Sequence, residues 1–279
     1  MKKTEKEFIL TNYSSLGGKK CAEILNLKAP TIITFANRNG LKINSDALKS
    51  IRSSRSLNNW KNYIKKEENY KVNPNFFINC DTPESAYILG LLWADGTIYK
   101  DTITIECLEA DMCIFQSAFL KSGIWGSYIR KGRISGKNMQ ILKTSNKKLA
   151  DFLRNNDYQE KSLKSPNKIL SLIPKNIRPY FFRGWIDGDG CFYLNEKHYC
   201  KQFYISGSFE QDWYSFEELC FALDIKFKIV RIKKKTKYSA LRITNKKDIN
   251  LLGDYIFQFF SKDNIGLLRK YEKYCNIIK

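Results

Sequence analysis

The chain has 279 residues, 43% of them hydrophobic, enough to bury a core without disulfides. Its 48 Lys and Arg against 28 Asp and Glu leave a net charge of +20, the footprint of a polyanion binder, although a ribosomal or membrane-directed surface has the same balance. The sequence excludes several classes: no apolar run reaches 18 residues and no signal peptide is present, so a soluble intracellular protein is expected. The eight cysteines form no Cys-x-x-Cys pair, and a single histidine cannot supply a histidine-rich metal site.

The first predicted elements are two short helices, Lys19 to Asn26 and Thr31 to Arg38, joined by the turn Leu27-Lys-Ala-Pro30 and stopped at Asn39-Gly40. Two helices with a tight turn, and Pro30 in the first turn of the second, fit a helix-turn-helix over residues 1–44. The second helix would then enter a major groove, with Thr31, Thr34, Asn37 and Arg38 as candidate contacts. Residues 45–78 are basic and polar and read as a connector that tracks phosphates.

Two segments further on repeat one pattern: Ile88-Leu-Gly-Leu-Leu-Trp-Ala-Asp95-Gly96 and Phe182-Arg-Gly-Trp-Ile-Asp-Gly-Asp189-Gly190. Gly90 with Ala94, and Gly184 with Gly188, each put two small residues on one helix face, which predicts close packing of the two helices. Packed in parallel, the helices bring Asp95 and Asp189 to the same end, where the helix dipole disfavours an acid by roughly 0.3–1 kcal/mol. A bound divalent cation would offset that cost and the mutual repulsion. Gly96 and Gly190 read as helix stops in a left-handed turn.

The segments downstream of the two copies repeat as well. After Asp95 come the alternating Thr102-Ile-Thr-Ile-Glu106, a helical run from Asp111 to Leu120, a strand from Gly126 to Arg133, a turn, and a strand ending in Ile141-Leu-Lys-Thr-Ser145. After Asp189 come alternation through Phe203 to Ser206, a helix from Asp212 to Leu223, a strand from Phe227 to Lys233, and Leu241-Arg-Ile-Thr244. Asn146-Lys-Lys and Asn245-Lys-Lys then each open an apolar helix. The chain therefore holds two copies of helix, hairpin, helix, hairpin, helix. They cover 79–160 and 179–279, with a proline-broken linker over 161–178. Basic residues on the strands alternate with Tyr, Asn, Thr and Gln, as a two-stranded ribbon in a major groove requires. The strand and turn candidates for DNA contact are Thr102, Thr104, Glu106, Tyr128, Arg130, Arg133, Lys137, Asn195, His198, Gln202, Lys226, Lys228, Arg231, Lys233, Lys235 and Lys237.

Over residues 80 to 279 these paired motifs resemble the LAGLIDADG homing endonucleases in their single-chain, two-repeat form. The first copy departs at its sixth position, Trp93, where the second keeps Asp187. The resemblance implies an α+β fold: two pseudo-symmetric αββαββα repeats with saddle-shaped antiparallel sheets, beside the small N-terminal α-helical domain. It implies a monomer that hydrolyses both strands of double-stranded DNA at a long asymmetric site, leaving short 3′ overhangs. Two or three magnesium or manganese ions would lie between Asp95, Asp189 and the backbone of Ala94 and Gly188. The family's basic residue in the last strand of each repeat maps to Lys143 and Arg242, three residues before each Asn-Lys-Lys triplet. A splicing maturase or a transcription regulator on the same scaffold is the alternative. Richness in Lys, Asn and Ile suits an AT-rich genome such as that of a phage or an organelle.

Overall fold

A computed structural model describes residues 1–47, 72–108, 111, 118–132, 136–195, 200–233, 237–260 and 265–279. The chain divides into two compact units, Met1–Glu68 and Asn69–Lys279.

In the first unit, helix α1 (Lys3–Leu25) is broken at Gly17, whose φ of 73° and ψ of 166° no helix can hold, so two helical pieces meet there at an angle. Helix α2 (Ala29–Arg38) follows a turn in which Asn26 adopts the left-handed conformation (φ 50°) and the Leu27 N–H reaches back to the Ala22 carbonyl at 2.9 Å. Ile9, Tyr13, Cys21, Ala22, Ile32 and Ala36 form the core of this unit. The two helices expected over 19–26 and 31–38 therefore carry an additional N-terminal helical piece, residues 3–16, which has no counterpart among the expected elements. Thr31, Thr34, Asn37 and Arg38 are all exposed on α2, away from Ile32 and Ala36.

In the second unit, a short helix α3 (Pro74–Ile78) precedes α4 (Pro83–Asp95), β1 (Thr97–Tyr99), β2 (Thr102–Leu108), β3 (Gly126–Lys131), β4 (Asn138–Ser145) and α5 (Lys147–Asn155). Helix α6 (Asn167–Leu172) and a single 3₁₀ turn (Lys175–Ile177) connect to the second copy. That copy runs α7 (Arg178–Asp189), β5 (Gly190–Asn195), β6 (Cys200–Ser208), α8 (Tyr214–Ala222), β7 (Lys228–Ile232), β8 (Tyr238–Ile243), α9 (Lys246–Phe257) and α10 (Leu268–Ile278). The two antiparallel sheets have the same order, β1-β2-β4-β3 and β5-β6-β8-β7. Most of the helix expected from Asp111 to Leu120 lies outside the described residues. The recurrent Asn-Lys-Lys has a local cause: Asn146 and Asn245 are N-caps whose side chains accept the Leu149 and Lys247 amides at 3.0 and 2.8 Å.

Each sheet buries one face against the helices, Ile103, Ile105 and Leu142 in the first and Phe203, Ile205, Leu241 and Ile243 in the second. Two stretches expected to lie outside the repeats are part of this core. Val72 and Phe77, read as the end of the connector, are buried, as are Ile169, Leu170, Ile173 and Ile177, read as linker. Their apolar spacing outweighs the proline breakers around them. Among the described residues no helix is long and apolar enough to cross a membrane.

Candidate active site at the paired helix ends

Helices α4 and α7 pack backbone against backbone. A Cβ added at Gly90 would stand 2.0 Å from the Phe181 carbonyl oxygen, and one at Gly184 2.1 Å from that of Tyr87, so only glycine fits at either crossing point. Further along, a Cβ at Gly188 would meet the Ala94 Cβ at 2.2 Å and Asp95 Oδ2 at 3.0 Å. The contacts advance together along both helices, so the pair is parallel and both acids lie at the same end. The glycines after the acids work differently from a left-handed stop. Gly96 (φ −70°, ψ 147°) and Gly190 (φ −84°, ψ 157°) are extended, in a conformation open to any residue. They are glycine because the chain turns straight into a strand over its own last turn: a Cβ at Gly96 would lie 2.5 Å from the Leu92 carbonyl oxygen, and one at Gly190 2.8 Å from that of Ile186.

The two carboxylates feel each other. Burial first, then repulsion from Asp95, pushes Asp189 up to about 7, while Lys161, Lys270 and the Trp185 indole pull it down. Asp95 keeps open contact with solvent, yet crowding by the helix ends raises its carboxyl as well, opposed by Lys161 and Lys270. Two hard-oxygen ligands that repel one another fit a divalent cation. Among the described residues no three His, Cys, Asp or Glu side chains cluster, so its other ligands would be backbone, water or substrate oxygens.

Two lysines absent from the expected site complete it. The Lys161 ammonium donates to the carbonyls of Leu92 (3.1 Å) and Ala94 (2.6 Å), closing the negative end of α4. Lys270, 5% exposed, does the same for α7 through the carbonyls of Ile186 (2.6 Å), Asp187 (2.6 Å) and Gly190 (2.8 Å). Burial lowers Lys161 to about 8 against the pull of Asp189 and Asp95. The Ala94 carbonyl, expected to face a metal, thus already accepts an ammonium.

Lys143 and Arg242 take equivalent places on the two sheets. Thr97, beside the α4 end, pairs with Thr104, which pairs with Lys143, so the Lys143 backbone lies two strands, or about 10 Å, from that of Thr97. Arg242 holds the matching place opposite Tyr204 and Lys228. It lines an open cavity of about 370 Å³ with Gln202, Lys226 and Asp248. Register puts Thr102, Thr104, Glu106, Tyr128, Arg130 and Lys143 on the face of the first sheet turned away from its core. There Glu106 and Arg130 pair at 2.6 Å, and Thr102 bonds to Ser145. Gln202, Lys228 and Arg242 share the corresponding face of the second sheet, with Lys226 and Lys237 exposed beyond the strand ends. Asn195 donates to the Tyr193 hydroxyl at 3.1 Å, and Lys137 is exposed before β4. Two expected contacts are on the other face: Arg231 donates to the carbonyls of Phe209 and Gln211, and Lys233 sits 5.3 Å above the Phe209 ring. Arg231 reaches the loop after β6 because β7 turns its odd-numbered residues that way, and Lys233, just beyond the strand, lies over the same loop. Arg133, His198 and Lys235 lie outside the described residues.

The pH dependence of stability can be derived from these shifts. Without added metal, Asp189 binds a proton more tightly in the folded chain than in the unfolded one. Its contribution therefore falls as pH rises from about 4 to about 7. Lys161, shifted the other way, returns stability between about 8 and 10.5. Thermal unfolding of wild type minus Asp189→Asn should fall across the first window; a flat difference would show that Asp189 is not perturbed.

No family model and no curated protein matches the sequence. Among solved structures, the chain is similar to the homing endonuclease I-WcaI bound to its DNA recognition sequence. The identity is 16%, covering 69% of this chain and 85% of that one, with a TM-score of 0.50. Weaker likenesses are to the I-LtrWI LAGLIDADG homing endonuclease bound to target DNA (16% identity, 70% and 89% covered, TM-score 0.45) and to full-length WhiA from Thermatoga maritima (15%, 71% and 60%, 0.45).

Proposed function

On the premise of the LAGLIDADG homing-endonuclease fold, we propose that the chain is a site-specific, divalent-metal-dependent endonuclease that cuts both strands of duplex DNA. The observation that carries this reading is the convergence of Asp95 and Asp189 on one end of a glycine-packed helix pair, with a lysine ammonium at each helix terminus. The net charge of +20, the polar faces of two like sheets, and the DNA-bound state of I-WcaI support a duplex as substrate.

Bound magnesium or manganese would supply Lewis-acid stabilisation of the phosphodiester and activation of water. The chain's own part is to hold the ligands in place. Packing of α4 on α7 fixes the two carboxylates, and Lys161 and Lys270 neutralise the helix ends that carry them, which suits a phosphoryl transfer that depends mainly on positioning and neutralisation. The exposed Thr31, Thr34, Asn37 and Arg38 of α2 extend recognition to a further stretch of major groove. The sheet contacts are unequal, Thr104 against Tyr204 and Lys143 against Arg242, so the target is asymmetric.

The test is selection of cleaved molecules from a randomised duplex pool with magnesium, with sequencing of the ends. A long asymmetric site with short 3′ overhangs is expected; tight binding with no cut molecules would favour a non-cleaving binder. Removing residues 1–44 should shorten or relax the selected site while residual cutting persists. An unchanged site would remove the helix-turn-helix from recognition.

A further inference from the structure

The motifs differ at their sixth position, Trp93 against Asp187, yet both residues touch the segment that carries a lysine. In the second repeat, Asp187 Oδ2 accepts the Leu267 amide at 2.9 Å and the Tyr87 hydroxyl at 2.8 Å. Leu267 is the N-cap of α10, and three residues later Lys270 reaches back to the end of α7. Trp93 has no carboxylate to offer. Instead its ring meets the Tyr158 ring edge-on, centroids 4.9 Å apart, and the Tyr158 hydroxyl donates to the Leu89 carbonyl at 2.8 Å. Three residues after Tyr158 comes Lys161, on the end of α4. In both halves, then, the anchored residue precedes the lysine by three (161 − 158 and 270 − 267), in the turns after α5 in the first and in the first turn of α10 in the second.

A lysine is a point charge on four rotatable bonds, and its head is held only if the backbone beneath it is fixed. Both anchors are dry: Trp93, Tyr158, Asp187 and Leu267 are each less than 5% exposed. A charge-assisted N–H to carboxylate bond in the one case, and an edge-on aromatic pair with a hydroxyl bond in the other, are each suited to such a setting.

We propose that Trp93 with Tyr158, and Asp187 with the Leu267 amide, are positioning residues that aim Lys161 and Lys270, one in each half of the site. Trp93 replaces the aspartate of the other copy without loss of this task, so the two halves use different chemistry for one purpose. The proposal rests on the cleavage reading only for its effect on rate; the anchoring itself is a property of the folded chain.

Two measurements on the full chain separate these levels. The first is acetylation of lysines by acetic anhydride without DNA, read by mass spectrometry. Losing one buried hydrogen bond should raise Lys161 reactivity about 5- to 10-fold in Tyr158→Phe while Lys270 stays protected. Asp187→Ala should expose Lys270 alone, and Asp187→Asn, which can still accept the Leu267 amide, should restore protection. The second is cutting of an end-labelled duplex selected as above. Tyr158→Phe should slow one strand about 10-fold and Asp187→Ala the other, each leaving the opposite strand within about 2-fold of wild type. Variants that expose both lysines together or neither, or that slow both strands equally, would overturn the proposal. A wild type that cuts nothing would overturn the nuclease reading instead, and the acetylation pattern would still decide the anchoring.

Discussion

Gly184→Ala should destabilise the protein by about 3 kcal/mol or more, at the upper end for overpacking, seen as a lower urea midpoint. The reason is that the obstacle is main chain. A methyl group at Gly184 would stand 2.1 Å from the Tyr87 carbonyl oxygen and 2.9 Å from the Leu91 nitrogen. Neither can rotate aside as a side chain would, so the helices must separate. Separation would loosen the aromatic layer around α7, where Trp185 stacks on Trp213 with centroids 6.1 Å apart and packs against Trp93. It would also move Asp189 away from Asp95, so cutting should fall along with stability. Gly90→Ala, facing the Phe181 carbonyl at 2.0 Å, should behave alike. A loss below about 0.5 kcal/mol, the scale of an ordinary surface change, would contradict the close crossing.

Asp95→Asn and Asp189→Asn should each reduce cutting by about 10³-fold or more, the scale expected when a metal ligand and its several kcal/mol of charge stabilisation are removed. Binding of the duplex should persist, because the sheet faces are untouched. Stability without metal should move the opposite way to activity. Near pH 8 the folded chain holds a charged Asp189 against burial and the repulsion of Asp95, so an amide there relieves a cost. The Asp189→Asn variant is therefore expected to melt higher than wild type at pH 8 without metal, and to gain little when magnesium is added. Thermal unfolding at pH 8, with chelator and with saturating magnesium, checks both halves of this statement. A variant that melts lower and still gains with magnesium would place the cation elsewhere.

Much of this site is readable in the linear chain because its geometry has a short period. Small residues four apart make one helix face whatever the tertiary context, and the doubled motif announces that the two faces meet. The order of strands and helices repeats for the same reason. The lysines are hidden by distance. Lys161 lies 15 residues after Asn146, whereas Lys270 lies 25 after Asn245, so a comparison of the repeats in fixed register cannot match them (161 − 146 and 270 − 245). Lys143 and Arg242, by contrast, match in register along the chain, and the sheets place them on equivalent strands, opposite Thr104 and Tyr204. Gly96 and Gly190 mislead because a glycine after a helix usually marks a left-handed turn. Here the close return of the chain over Leu92 and Ile186 demands it instead. Arg231 and Lys233 show the same limit, since basic residues on a strand are assigned to a face only by pairing register.

The central claim is that Asp95 and Asp189 form one metal-dependent site for both strands. It is tested most directly by single-turnover cutting of the selected duplex, labelled separately on each strand, with magnesium or with chelator. The account predicts that wild type cuts both strands only with magnesium, and that Asp95→Asn and Asp189→Asn bind the same duplex but cut neither strand at a comparable rate. Undiminished cutting of both strands by either variant, or cutting in chelator, would contradict it.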